Sequence, residues 1–198
     1  MKKILLVHTR YRITGGEDIA VDNEILALKK AYDVEALIFS NNEIDNIFKQ
    51  IIYFLINKNS QSDKLLKNKL SSFKPDLVYI HNTWFKASLG IFRLLKKHNT
   101  KFVIKLHNYR YECGRFFFKT SHLKGNSLCS ACGYHKTDTF LFNKYFKDSY
   151  IKSLLLIIYC KQYYKILKNS NVLTLSNFQK QYLINDGFDS KNLKILHN

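Results

Sequence analysis

The residue types best suited to chemistry in this chain are histidines and asparagines that follow short apolar runs. His8-Thr9-Arg10 follows ILLV at 4–7, His81-Asn82 follows LVYI at 77–80, His107-Asn108 follows FVIKL at 102–106, and Ser176-Asn177 closes VLTL at 172–175. Open α/β sheets bind ligands beyond the carboxyl ends of their strands, and an imidazole there can give or take a proton near neutral pH. Random surface placement does not readily put three histidines at equivalent strand ends. The plain alternative is that each one caps its strand by bonding a neighbouring carbonyl. His107, with Asn108 beside it, is the candidate for chemistry, and His81 and Asn82 are candidates for binding.

Two other patterns carry chemical meaning. Gly15 and Gly16 lie between the first apolar run and the first helical pattern, where glycine permits a sharp turn and close approach of a ligand to a helix N-terminus. Glu17 and Asp18 follow at once. They suit the helix dipole but repel a phosphate seated directly on it, so a sugar hydroxyl or the edge of a diphosphate fits better than a buried dinucleotide. The cysteines are spaced Cys113-x15-Cys129-x2-Cys132. With His135 or His122 as a fourth ligand they would form a site of three thiolates and one imidazole. Unligated thiols in a loop are the other reading.

These residues need a scaffold, and the chain alternates strand-like and helix-like segments from end to end. Strands are expected at 3–8, 33–39, 77–80, 102–106, 172–175 and 193–196. Helices are expected at 17–31, 43–57, 64–73, 88–98 and within 140–167, with Ser176 or Asn177 capping a further helix. The strands are short and aliphatic, as in sheets covered on both faces. Alternation of this kind implies right-handed βαβ units and a Rossmann-like doubly wound parallel sheet. The chain ends just after a strand, at His197-Asn198, which reads as a cut at a domain boundary.

Composition narrows the partners. The chain has 198 residues, enough for one good core, and its 46% hydrophobic content excludes disorder. A net charge of +17 calls for something anionic nearby, unless it reflects a Lys-rich genome. The 140–167 region interleaves Lys with Tyr and Phe, which suits an anionic membrane surface or stacked nucleic acid. The apolar runs at 51–56 and 154–160 fall short of the ~20 residues that span a bilayer, and no secretion signal is visible. A cytoplasmic location with reduced thiols is therefore expected, and Cys160 reads as a small buried hydrophobe.

Together the motifs resemble a known family. Gly15-Gly16-Glu17-Asp18 with Asn23-Glu24, His81-Asn82-Thr83, Leu106-His107-Asn108-Tyr109-Arg110 through Cys113, Cys129-x-x-Cys132, Leu175-Ser176-Asn177-Phe178 and Ile195-Leu196-His197-Asn198 occur in this order along the chain. The chain resembles the N-terminal domain of bacterial GT-B glycosyltransferases of family 4, which are retaining and need no catalytic metal. The resemblance implies that residues 1–198 form the acceptor-binding half of a two-domain architecture. The donor-binding C-terminal domain would be absent here and supplied in cis or by a partner chain. The implied substrates are a nucleotide-sugar donor and a glycan or lipid-linked acceptor at the inner membrane face. Gly15, Gly16, Glu17, His81, Asn82, Asn108 and Arg110 would contact donor or acceptor, and His107 would stand at the reacting centre. Cys113, Cys129, Cys132 and His135 would hold a structural zinc. Two other readings are a non-catalytic subunit of a split glycosyltransferase and a zinc-stabilised nucleic-acid-binding protein. No known reader motif supports the latter, so no nucleic-acid partner is expected.

Overall fold

The computed structural model describes residues 1–42, 52–53, 55–109, 111 and 150–198. Strands β1 (Lys3–Arg10), β2 (Asp33–Ser40), β3 (Leu77–Ile80), β4 (Phe102–Leu106), β5 (Asn171–Thr174) and β6 (Leu193–Ile195) alternate with helices α1 (Gly16–Leu28), α2 (Ser60–Phe73), α3 (Gly90–Lys97), α4 (Tyr150–Lys168) and α5 (Asn177–Asn185). The strands form one parallel sheet in the order β2-β1-β3-β4-β5-β6. The expected α/β class, a Rossmann-like doubly wound parallel sheet, is the one observed.

Side-chain alternation divides the core between the two faces of the sheet. Leu5, Val7, Val78, Ile80, Ile104, Leu106 and Val172 face one side, packed with Leu66, Leu70 and Phe73 of α2, Phe92 and Leu95 of α3, and Leu156, Cys160 and Leu167 of α4. Cys160 is fully buried there, as a small hydrophobe should be. Ile4, Leu6 and Tyr79 face the other side and meet Val21, Ile25 and Leu28 of α1. Spacing of three and four residues along α1 places Asp18 and Glu24 on the same side of that helix as Val21 and Ile25.

Helix ends follow local chemistry. α2 starts four residues before its expected position because the Asn59 side chain accepts from the Gln61 and Ser62 amides. It stops where Lys74 takes a left-handed conformation just before Pro75. Ser176 caps α5 by accepting from the Gln179 amide, as the sequence suggested. α5 stops at Asn185, and Gly187, just beyond its cap, has φ of +80°. There the Gly187 amide donates to Ile184 and the Phe188 amide to Leu183, closing the last turn. Most of the helix expected at 43–57 lies outside the described residues, as does the first part of the one expected within 140–167.

Candidate functional site

The strand register lines up the polar residues. Val7 pairs with Ile80 and Ile80 with Ile104, so the next residues, His8, His81 and Lys105, form a row across β1, β3 and β4 on the α1 side of the sheet. All three are at most 3% exposed. His107 follows two residues beyond Lys105, and its Nε2 lies 2.8 Å from Nδ1 of His81, with the rings stacked 5.1 Å apart. None of these three histidine rings takes the plain strand-capping role. The His8 Nε2 hydrogen points at Asp18 Oδ1, 2.8 Å away, and His81 and His107 bond each other.

Helix α1 supplies the carboxylates. Asp18 accepts from His8 through one oxygen and from the Gly15 amide at 2.9 Å through the other, so it caps the helix and anchors β1 together. Glu24 accepts from the Tyr79 hydroxyl at 2.8 Å and from the Lys105 ammonium, and its Oε2 lies 3.6 Å from His81 Nε2. A buried lysine is tolerated only with such a partner. Glu17 turns away from its own helix terminus. It accepts from the Tyr11 hydroxyl at 2.6 Å and from the Asn108 amide at 3.0 Å, tying the first loop to the end of β4.

Burial sets the electrostatics of the histidine pair. Desolvation, followed by the Lys105 and His8 charges, lowers the His107 pKa to about 4. Desolvation also drives His81 well below its ordinary value, with further contributions from His107, His8 and Lys105. Both rings are therefore neutral at pH 7. Burial and then the Glu24 carboxylate raise the Tyr79 pKa, which keeps its hydroxyl a donor. A cleft of about 20 Å³, room for about one water, opens among Glu17, His81, Lys105, His107, Asn108 and Tyr159. It lies at the carboxyl ends of β3 and β4, where this sheet type binds ligands.

The residues expected from the sequence separate into groups. Glu17, His81, His107 and Asn108 converge on the cleft. Asn82 also lines it, but its side chain is engaged with backbone: it donates to the Thr9 carbonyl at 2.8 Å and accepts from the Trp84 amide at 3.0 Å. Gly15 and Gly16 stand at the start of α1, yet not for a sharp turn, because Gly15 has φ of −116°, open to any residue. A Cβ on Gly16 would meet no atom within 4 Å among the described residues, so the space above it is open. Arg110, Cys113, His122, Cys129, Cys132 and His135 lie outside the described residues. Among the described residues no three His, Cys, Asp or Glu side chains are placed to hold a metal ion.

Sequence reasoning did not single out Glu24, Tyr79 and Lys105 as part of the site. The available signal was Lys105 itself, a charge between Ile104 and Leu106 in a strand read as covered on both faces. Such a residue demands a buried carboxylate, and helix α1 is where one was to be found.

Fold and site together define an α/β chain with a Rossmann-like, doubly wound parallel sheet and a polar cleft at its strand ends. Two solved structures share the fold. The chain superposes on the lipopolysaccharide outer core galactosyltransferase WaaB in its apo form with a TM-score of 0.53 and 14% identity, over 99% of this chain and 45% of that one. It superposes on a UDP-N-acetylglucosamine 2-epimerase with a TM-score of 0.51 and 12% identity, over 98% of this chain and 47% of the other. The chain thus spans less than half the length of either protein. No family model matches the sequence, and no curated protein matches it. Among the described residues no helix is long and apolar enough to cross a membrane.

Proposed function

We propose that this chain is the acceptor-binding, N-terminal half of a retaining glycosyltransferase, which moves a sugar from a nucleotide-sugar donor to a glycan or lipid-linked acceptor. The observation that carries this reading is the cleft where His107 and Asn108, at the end of β4, meet Glu17 from the first turn of α1 and His81 from the end of β3. Its walls offer carboxylate, amide and imidazole groups, the kinds of group that bond a sugar hydroxyl, and its volume suits one such hydroxyl at a time. The two proteins of like fold bear names that place them in sugar chemistry, one as a galactosyltransferase and one as an epimerase of a nucleotide sugar.

In this reading the donor's nucleotide is held by a second domain, in cis or on a partner chain, and the open space over Gly16 admits the donor's diphosphate edge or sugar. The net charge of +17 suits phosphate-bearing, lipid-linked acceptors at the cytoplasmic membrane face. No catalytic metal is required, and Cys113, Cys129 and Cys132 with His135 would hold a structural zinc.

The test is saturation-transfer NMR on the chain with lipid-diphosphate-linked monosaccharides and free oligosaccharides as probes. Binding is expected for wild type and strongly weakened in His107→Ala and Asn108→Ala variants that still unfold cooperatively above the temperature of the measurement. A folded wild-type chain that binds none of these saccharides, or variants that bind as well as it does, would overturn the reading.

A further inference from the structure

We infer that Glu24, on α1, is a positioning residue that fixes where the hydrogen lies in the His81–His107 pair and so turns His107 into a hydrogen-bond acceptor toward the ligand. The inference rests on the proposed sugar-binding role of the cleft for its meaning, but not for its test.

The His81–His107 contact joins Nδ1 of one ring to Nε2 of the other at 2.8 Å. Two neutral imidazoles can make this bond in two ways. In the first, His81 donates from Nδ1. His81 Nε2 then carries a bare lone pair, and His107 must carry its own hydrogen on Nδ1. In the second, His107 donates from Nε2. His81 then holds its hydrogen on Nε2, and His107 Nδ1 is the bare lone pair.

Glu24 decides between them. Its Oε2 faces His81 Nε2 at 3.6 Å, too long for a hydrogen bond but close enough for charge to matter. A carboxylate there attracts an N–H and repels a lone pair, so the second arrangement is favoured. The carboxylate cannot swing aside, because Tyr79 donates to Oε2 and Lys105 to Oε1. Lys105 is committed in turn to Glu24 and, at 3.4 Å, to the His197 carbonyl. His8, the other ring in the row, faces His81 edge-on at 6.2 Å and directs its own Nε2 to Asp18. Orientation therefore passes in one direction, from Glu24 through His81 to His107.

At the far end of this chain His107 Nδ1 is buried and, among the described residues, has no hydrogen-bond partner. A bare lone pair there accepts from a hydroxyl and repels a phosphate oxygen. A ligand group that reaches Nδ1 is thus a donor such as a sugar hydroxyl, while any phosphate must lie elsewhere in the cleft. This is the arrangement of an acceptor-orienting histidine, in which the carboxylate behind the pair sets the tautomer of the ring in front.

The test is long-range proton–nitrogen correlation NMR on the nitrogen-15-labelled, ligand-free chain at neutral pH. The expected result for wild type is His107 with hydrogen on Nε2 and a bare Nδ1, and His81 with hydrogen on Nε2. In Glu24→Gln the side-chain amide can present a donor to His81 Nε2, so the hydrogen is expected to move along the chain and His107 to carry it on Nδ1. Glu24→Asp should keep the wild-type tautomer. A wild-type His107 protonated at Nδ1 would overturn the inference even if no variant folds, and so would a tautomer unchanged in a folded Glu24→Gln. Because no ligand is present, the expected tautomer without saccharide binding would sink the functional reading alone. Saccharide binding with the opposite tautomer would sink this inference alone.

Discussion

Lowering the pH should destabilise this protein, and much of the loss can be traced to the His107 ring. His107 titrates at about 4 in the folded chain, against 6.5 when exposed, chiefly because burial penalises its charged form. Below pH 6.5 the unfolded chain therefore takes up the proton first, and folding stability falls. The loss is complete once the pH drops below about 4, and above 6.5 the group contributes no pH dependence. Each pKa unit corresponds to about 1.4 kcal/mol, so the whole shift amounts to roughly 3 kcal/mol. That is a large part of the ~5–15 kcal/mol that holds a domain together. His81, lowered in the same direction, steepens the slope. Among the described residues the charged and titratable groups around the pair are Lys105 on β4, His8 on β1, Tyr79 on β3, and Glu24 and Glu17 on α1. The assay is urea unfolding at intervals between about pH 7.5 and about pH 4.5, on wild type and His107→Asn. The wild-type free energy should fall on the acid side by at least about 1.4 kcal/mol per pH unit, and His107→Asn should remove about that much of the slope. A wild-type stability that is flat from pH 6.5 to 5, or an unchanged slope in the variant, would refute the reasoning.

Three further outcomes follow from the same structure. Lys105→Met strands the Glu24 carboxylate and should cost roughly 3 kcal/mol. The double variant Lys105→Met/Glu24→Leu should cost at least about 2 kcal/mol less than the two singles summed, and additive urea-unfolding energies would show that the pair is uncoupled. Gly187→Ala puts a Cβ on a residue with φ of +80°, 3.2 Å from the flexible Lys168 ammonium. It should lower stability by about 1 kcal/mol, and an unchanged thermal midpoint would contradict that. Purified protein should carry about one zinc per chain and lose thermal stability with chelator. Metal analysis showing no zinc, with the same melting curve in chelator, removes the proposed cysteine site.

Much of the fold was legible because local rules and tertiary context agree. The β3 and β4 boundaries matched the expected runs because each is bounded by polar or turn residues. β1 runs two residues past its expected end, to Arg10, because parallel pairing with β2 continues to Ser40. A period of two or of 3.6 in apolar residues is a local property, so it reveals elements without revealing their neighbours. The Gly15-Gly16 pair shows the reverse, since its glycines suggested a turn that needs them, while Gly15 keeps a φ of −116° open to any residue.

The sequence by itself determined that His8, His81 and His107 would lie at or near the carboxyl ends of strands, because each follows a short apolar run that reads as a buried strand. Only the tertiary structure decided what those rings do. The order β2-β1-β3-β4 sets three strand ends side by side, and α1 crosses above them with Asp18 and Glu24 pointing down. Asp18 takes one histidine, Glu24 and Lys105 surround a second, and the third bonds the second and lines the cleft. Such pairings join residues 10 to 81 positions apart. Their energies depend on burial and sub-ångström distance, neither of which is a property of residue type and spacing along a chain.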